Sequence, residues 1–298
     1  MSSFDSLSNT TENLKVAAEI IGSKGVPALE KGRNARFIAV TSGKGGVGKT
    51  SIVANLSVSL SELGKKVLVL DADFGLANLD VMLGLTPRYH LGHVLYGDKG
   101  LDEIMVQGPE GIQIIPASSG LQQMSELTLL QRNRLMDGFN RLDAGFDYFI
   151  IDTAAGVSRN VVHFLVSASE VFVVSVPEPT AIVDAYAIIK IVLAEDSEKV
   201  IRVIVNSARN ADDANEVFCQ INSVVKRFLN REVDYLGYVE RDNHVQRAVK
   251  SQMLVTHRFP NAPASRCFRD LAQRIVLSEN QSAFAGQNWE MLLNDWIN

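Results

Sequence analysis

Six short apolar runs punctuate this chain: RFIAVTS at 36–42, KVLVLDAD at 66–73, IQIIPAS at 112–118, DYFIIDT at 147–153, VFVVSVP at 171–177 and VIRVIVNS at 200–207. Each is apolar at nearly every position rather than at alternate ones. Strands covered on both faces have that pattern, and parallel strands flanked by helices are covered in this way. Helix-period segments at 48–63, 125–142, 158–168, 180–195 and 211–229 alternate with the runs. The βαβ succession predicts an α/β fold with a doubly wound, mostly parallel sheet, binding ligands at the carboxyl ends of its strands. With 298 residues, 46% hydrophobic and 21% charged, the chain has enough apolar surface for such a core.

The ends read differently. Residues 1–35 are polar, with a short helix expected in ENLKVAAEII (12–21) and a connector in GSKGVPALEKGRN (22–34). Residues 36–278 form the expected core domain. Residues 279–298 form a tail in which Trp289, Leu292, Leu293 and Trp296 share one helix face. That helix carries Glu290 and Asp295 but no Lys or Arg, so anionic lipid repels it; packing on protein is expected, and membrane contact through it is weak. The net charge of -5 argues against broad nucleic-acid binding. Cys219 and Cys267 lack any CxxC spacing, which excludes a disulfide framework and points to a reducing cytoplasm. The N-terminus lacks a secretory pattern, and no apolar stretch approaches a spanning helix.

The chemistry concentrates between the first run and the helix behind it. Gly43, Lys44, Gly45, Gly46, Val47, Gly48, Lys49 and Thr50 fit G-x-x-x-x-G-K-T, and Ser51 extends the contact set into the helix. Backbone N–H groups at such a strand-to-helix turn wrap phosphates. Lys49 is placed to reach the β- and γ-phosphates of ATP, and the Thr50 hydroxyl to ligate Mg²⁺. Two later runs end in carboxylates. Asp152 is assigned to the Mg²⁺ shell, directly or through water. In DADFGLANLD (71–80), Asp73 is the candidate to orient the attacking water or take its proton. Asp71 is open to the same role or to turn chemistry, and Asp80 is read as a local helix cap.

The string GKGGVGKT resembles the deviant phosphate loop of MinD/ParA-type P-loop ATPases. That resemblance implies that Lys44 crosses to a second copy of the chain and contacts its nucleotide, making an ATP-dependent homodimer. A cation in trans can stabilise charge developing on the γ-phosphate. The blocks DADFGLANLDVMLGL, DTAAGVSRNVVHF, PEPTAIVDAYAIIK and YLGYVERDNHVQRAV are similar to the flagellar-number branch, FlhG or FleN, over about residues 36–276. The matching implies switch I for Asp73 and Asn78, switch II for Asp152, and an adenine contact for Asn206. Where the family often has Ile-Pro, this chain has Val239-Glu240, so no base contact is assigned to Glu240 or Arg241. The Asp-Gln-Ala activating motif is not found near the N-terminus.

These resemblances imply a slow regulatory ATPase controlling flagellar number or placement, in the cytoplasm, at the pole or at the inner membrane. The implied partners are a flagellar transcription regulator or an SRP-type GTPase, with no specific nucleic acid. The alternatives are a DNA-segregation ATPase and a MinD-type division-site regulator. An iron–sulfur relative is set aside on the positions of the two cysteines.

Overall fold

The computed structural model describes residues 35–74, 78–116, 128–142 and 145–278. The expected N-terminal helix and the Trp289–Trp296 tail lie outside the described residues. Eight strands form one sheet: β1 (Arg36–Thr41), β2 (Val67–Ala72), β3 (Val106–Gln107), β4 (Gln113–Ile115), β5 (Tyr148–Thr153), β6 (Glu170–Ser175), β7 (Val200–Ala208) and β8 (Asp234–Glu240). Their order is β3-β4-β2-β5-β1-β6-β7-β8. All neighbours pair parallel except β3 with β4.

The longer helices are α1 (Lys49–Glu62), α2 (Leu129–Leu142), α3 (Arg159–Ser167), α4 (Pro179–Glu195), α5 (Ala211–Leu229), α6 (Asn243–Val249) and α7 (Pro263–Leu277). Alternate strand residues serve opposite faces of the sheet. Ile38, Val40, Val67, Val69, Tyr148 and Ile150 pack with α1 and α7. Phe37, Ala39, Leu68, Leu70, Phe149 and Ile151 pack in a second core with residues of α3, α4 and α5. Strands β1, β2, β5 and β6 are buried along their whole length, which is why their apolar runs are continuous. Among the described residues, no helix is long and apolar enough to cross a membrane.

Three expectations need revision. Strand β8 has the sequence DYLGYVE and lies outside the six apolar runs; it starts exposed and is only partly buried, because it pairs on one side alone. The run at 112–118 yields only three strand residues, β4. Asp80 is not a helix cap: Asn78 holds the N-cap of the turn Leu79–Met82, and the Asp80 carboxylate accepts from the adjacent Val81 N–H at 2.7 Å.

Candidate nucleotide site

The phosphate loop leaves β1 at its carboxyl end and enters α1 at Lys49. Gly48 caps that helix with φ 91°, in the left-handed region that favours glycine. A Cβ at Gly48 would also stand 2.5 Å from the Asn206 amide nitrogen. Asn206 explains the closeness: its Nδ2 donates to the Val47 carbonyl at 2.7 Å, and its Oδ1 accepts from the Ser207 N–H at 2.9 Å. On the other flank, a Cβ at Gly43 would lie 2.5 Å from the Asp184 backbone on α4. The loop is therefore held between the end of β7 and the N-terminal half of α4.

The two loop lysines occupy different environments. Lys49 is 9% exposed, and its Nζ donates to Ser42 Oγ at 3.1 Å. Ser42 Oγ in turn donates to the Lys44 carbonyl at 2.7 Å. Burial pushes the Lys49 ammonium down, and the charges of Asp152 and Asp73 push it back up. The Lys44 side chain is 46% exposed and reaches Glu178 Oε2 at 2.8 Å. That hydrogen bond and the Glu178 charge raise the Lys44 ammonium.

Facing the loop is a carboxylate rim. In the β2–β5 register Asp71 stands directly opposite Asp152, on the α1 face of the sheet. Both are buried, Asp71 at 3% and Asp152 at 1% exposure. Burial, and then the Asp71 charge, push Asp152 up to about 7, against a Thr50 hydrogen bond and the Lys49 charge. Its Oδ1 has no hydrogen-bond partner among the described residues. Burial likewise pushes Asp71 up to about 6, against backbone hydrogen bonds from Leu79 and Asp73. The end of β5 and the chain after it are tied to β1 and the start of the loop, since Thr153 Oγ1 donates to Val40 O at 3.0 Å and Gly156 N–H to Ser42 O at 2.9 Å.

A cavity of about 650 Å³ opens from the loop toward the ends of β7 and β8, within the range of small-molecule sites. Lys44, Gly48 and Ser51 line one end, and Asn206, Glu240 and Arg241 the other. The structure thus brings together the whole sequence-derived loop, Asn206 and the two carboxylate motifs. It adds Ser42, Glu178, Glu240 and Arg241, which sequence reasoning left out. Glu178 had a weak signal, an acid between two prolines just before a helix; Glu240 and Arg241 had none once the Ile-Pro pattern failed.

The fold is shared with known proteins. A profile of the AAA domain family matches residues 35–203, more than half of the chain. Antiactivator FleN of Pseudomonas aeruginosa is 41% identical over 240 residues, covering 80% of this chain and 86% of FleN. Flagellum site-determining protein YlxH of Helicobacter pylori is 35% identical over 245 residues, covering 82% of each chain. The MinC:MinD cell division protein complex of Aquifex aeolicus contains a chain of the same fold, with a TM-score of 0.65 and 28% identity over 81% of this chain and 96% of that one. With the phosphate loop, its buried lysine and the carboxylate rim in place, the chain belongs to the AAA domain family and is an ATP-binding P-loop ATPase of the MinD/ParA type, related to the flagellar regulators FleN and YlxH.

Proposed function

We propose that this ATPase is a nucleotide-switched homodimer that sets flagellar number or placement by binding partner proteins when ATP is present. The observation that carries the proposal is the split between its two loop lysines. Lys49 is turned inward to Ser42 and serves the nucleotide of its own chain. Lys44 stands at the cavity mouth in an exposed ion pair. An exposed pair of this kind contributes little to the fold, so Lys44 is free to exchange Glu178 for phosphate oxygens across a dimer interface. The names of FleN, an antiactivator, and YlxH, a flagellum site-determining protein, support the regulatory reading. Flagellar transcription regulators and SRP-type GTPases are the partners to test. The working unit is residues 36–278, acting in the cytoplasm, at the pole or at the inner membrane.

The residues fit Mg²⁺ and ATP. Among the described residues no cluster of three or more His, Cys, Asp or Glu forms a protein cage. Mg²⁺ seldom uses one, since it keeps waters and takes one or two carboxylates beside phosphate oxygens. Asp152 Oδ1, without a partner among the described residues, and the adjacent Thr50 hydroxyl suit that role. When bound, Mg²⁺ supplies charge neutralisation on the phosphate oxygens. The backbone of Gly43–Ser51 holds the phosphates, and Lys49 balances the β- and γ-oxygens. Asp73 orients the attacking water, and Lys44 of the second copy stabilises the transferring group. Asn206 braces the phosphate loop and borders the base end of the cavity, where it meets the adenine.

Lys44→Ala is expected to keep its melting temperature and retain ATP binding, but to sediment as a monomer in ATP. A Lys44→Ala protein that dimerises normally overturns the trans role. The ATP-locked Asp73→Ala protein is the bait for partner capture: recovery of flagellar factors supports the reading, and recovery of division or segregation proteins replaces it.

A further inference from the structure

Strand β2 ends in two aspartates that look interchangeable in sequence, and the geometry separates them. Asp73 lies beyond the strand and is only partly buried. Asp71 is inside the strand and 3% exposed. Its Oδ1 accepts the Asp73 N–H at 3.1 Å, and its Oδ2 accepts the Leu79 N–H at 3.2 Å. Those two donors stand six residues apart and bracket the stretch that carries Asp73 and Asn78. A turn aspartate needs only the first of these bonds and can leave its other oxygen in water. Burying a carboxylate beside Asp152 is unfavourable, yet here both oxygens are used on backbone donors of one segment.

We propose that Asp71 is the positioning residue of this ATPase: its carboxylate pins residues 73 and 79 and so sets where Asp73 stands against the phosphate loop. The proposal rests on the reading of Asp73 as the residue that orients water. Asp71 itself acts through Asp73 and the backbone, not on the reacting atoms. An asparagine at 71 keeps the shape but offers one acceptor oxygen; whichever way the amide turns, an NH₂ meets a backbone N–H, and one tie is lost. Misplacing a catalytic group by about 1 Å costs about 100-fold in rate.

The experiment compares wild type, Asp71→Asn, Asp73→Ala and the double variant in steady-state ATP hydrolysis, with amide exchange at residues 73 and 79. Asp71→Asn is expected to lower kcat by about 10- to 100-fold while KM stays within about twofold, because the phosphate-loop contacts are untouched. Exchange at both amides should quicken. In the Asp73→Ala background the same change should add no further loss, as expected for two residues on one route. Asp71→Glu keeps the charge but lengthens the arm, and should show the same kcat-selective loss if the asparagine variant folds poorly. Wild-type kcat in both Asp71 variants overturns the proposal, as does an equal loss with Asp73 already removed. If Asp73→Ala itself turns over normally, the water-orienting reading falls and takes this proposal with it. If Asp73→Ala is inactive while the Asp71 variants are normal, only the positioning role falls.

Discussion

The phosphate loop and the carboxylate rim face each other across the same strand ends, but their polar groups are satisfied on different terms. The loop finds its partners within the protein. Its two left-handed positions, Gly46 and Gly48, are glycines, Asn206 hydrogen-bonds its backbone, and Lys49 has Ser42. The rim is satisfied only in part. Asp71 and Asp152 are buried side by side, both are pushed toward the protonated form, and one Asp152 oxygen has no hydrogen-bond partner among the described residues. The comparison teaches where stability was given up for function. The backbone of the loop is organised in advance for phosphate, whereas the rim carries an electrostatic penalty.

Three substitutions can break or sharpen that contrast. The largest stability effect is expected at Asp152. Its folded-state acidity lies near 7 against an ordinary 3.8, so the folded protein holds a proton that the unfolded chain has released. Stability from this group is therefore highest below about pH 4 and declines as pH rises toward about 7. Asp152→Asn should stabilise the nucleotide-free protein at pH 8 by about 2 to 4 kcal/mol, with little gain near pH 4. The same variant should lose the stabilisation given by Mg²⁺-ATP. Thermal melts at the two pH values, with and without Mg²⁺-ATP, check both halves. Destabilisation at pH 8 would mean that the rim is as well satisfied as the loop.

The next effect is expected at Gly48. Alanine there must adopt φ 91° and displace the Asn206 amide, at about 1 to 3 kcal/mol. Denaturant unfolding reads the loss, and weaker binding of a fluorescent ATP analogue should accompany it. The smallest effect is expected two glycines earlier in the loop. A Cβ at Gly45 meets nothing within 4 Å and its φ is not left-handed, so Gly45→Ala should change unfolding free energy by less than about 0.5 kcal/mol. A large loss at Gly45 would show that the loop's order depends on more than the two flanking contacts.

Much of the fold is legible because burial on both faces leaves a continuous apolar signature. β1, β5 and β7 coincide with their runs to within a residue or two, and α5 spans the expected 211–229. The signature fades toward the edges of the sheet. β8 pairs with one neighbour and carries a glycine with charged ends, and β3 is a two-residue antiparallel addition. Helices α6 and α7 follow β8 and lie outside the five helix-period segments named from the sequence.

The candidate site divides on similar lines. By itself the sequence determined the phosphate loop, Lys49, Thr50 and the acidic strand ends, because helix geometry and glycine conformation require those residue types at that local spacing. Resemblance pointed to Asn206 and to the trans role proposed for Lys44. Only the tertiary structure decided that Asn206 donates to Val47 and that Glu178 meets Lys44, across 159 and 134 residues of chain. It also distinguished Asp71 from Asp73. Both are aspartates at one strand end, and residue type sets only what each can bond. Which N–H groups converge on a carboxylate, and how far from water, depends on β2 lying beside β5 beneath α1.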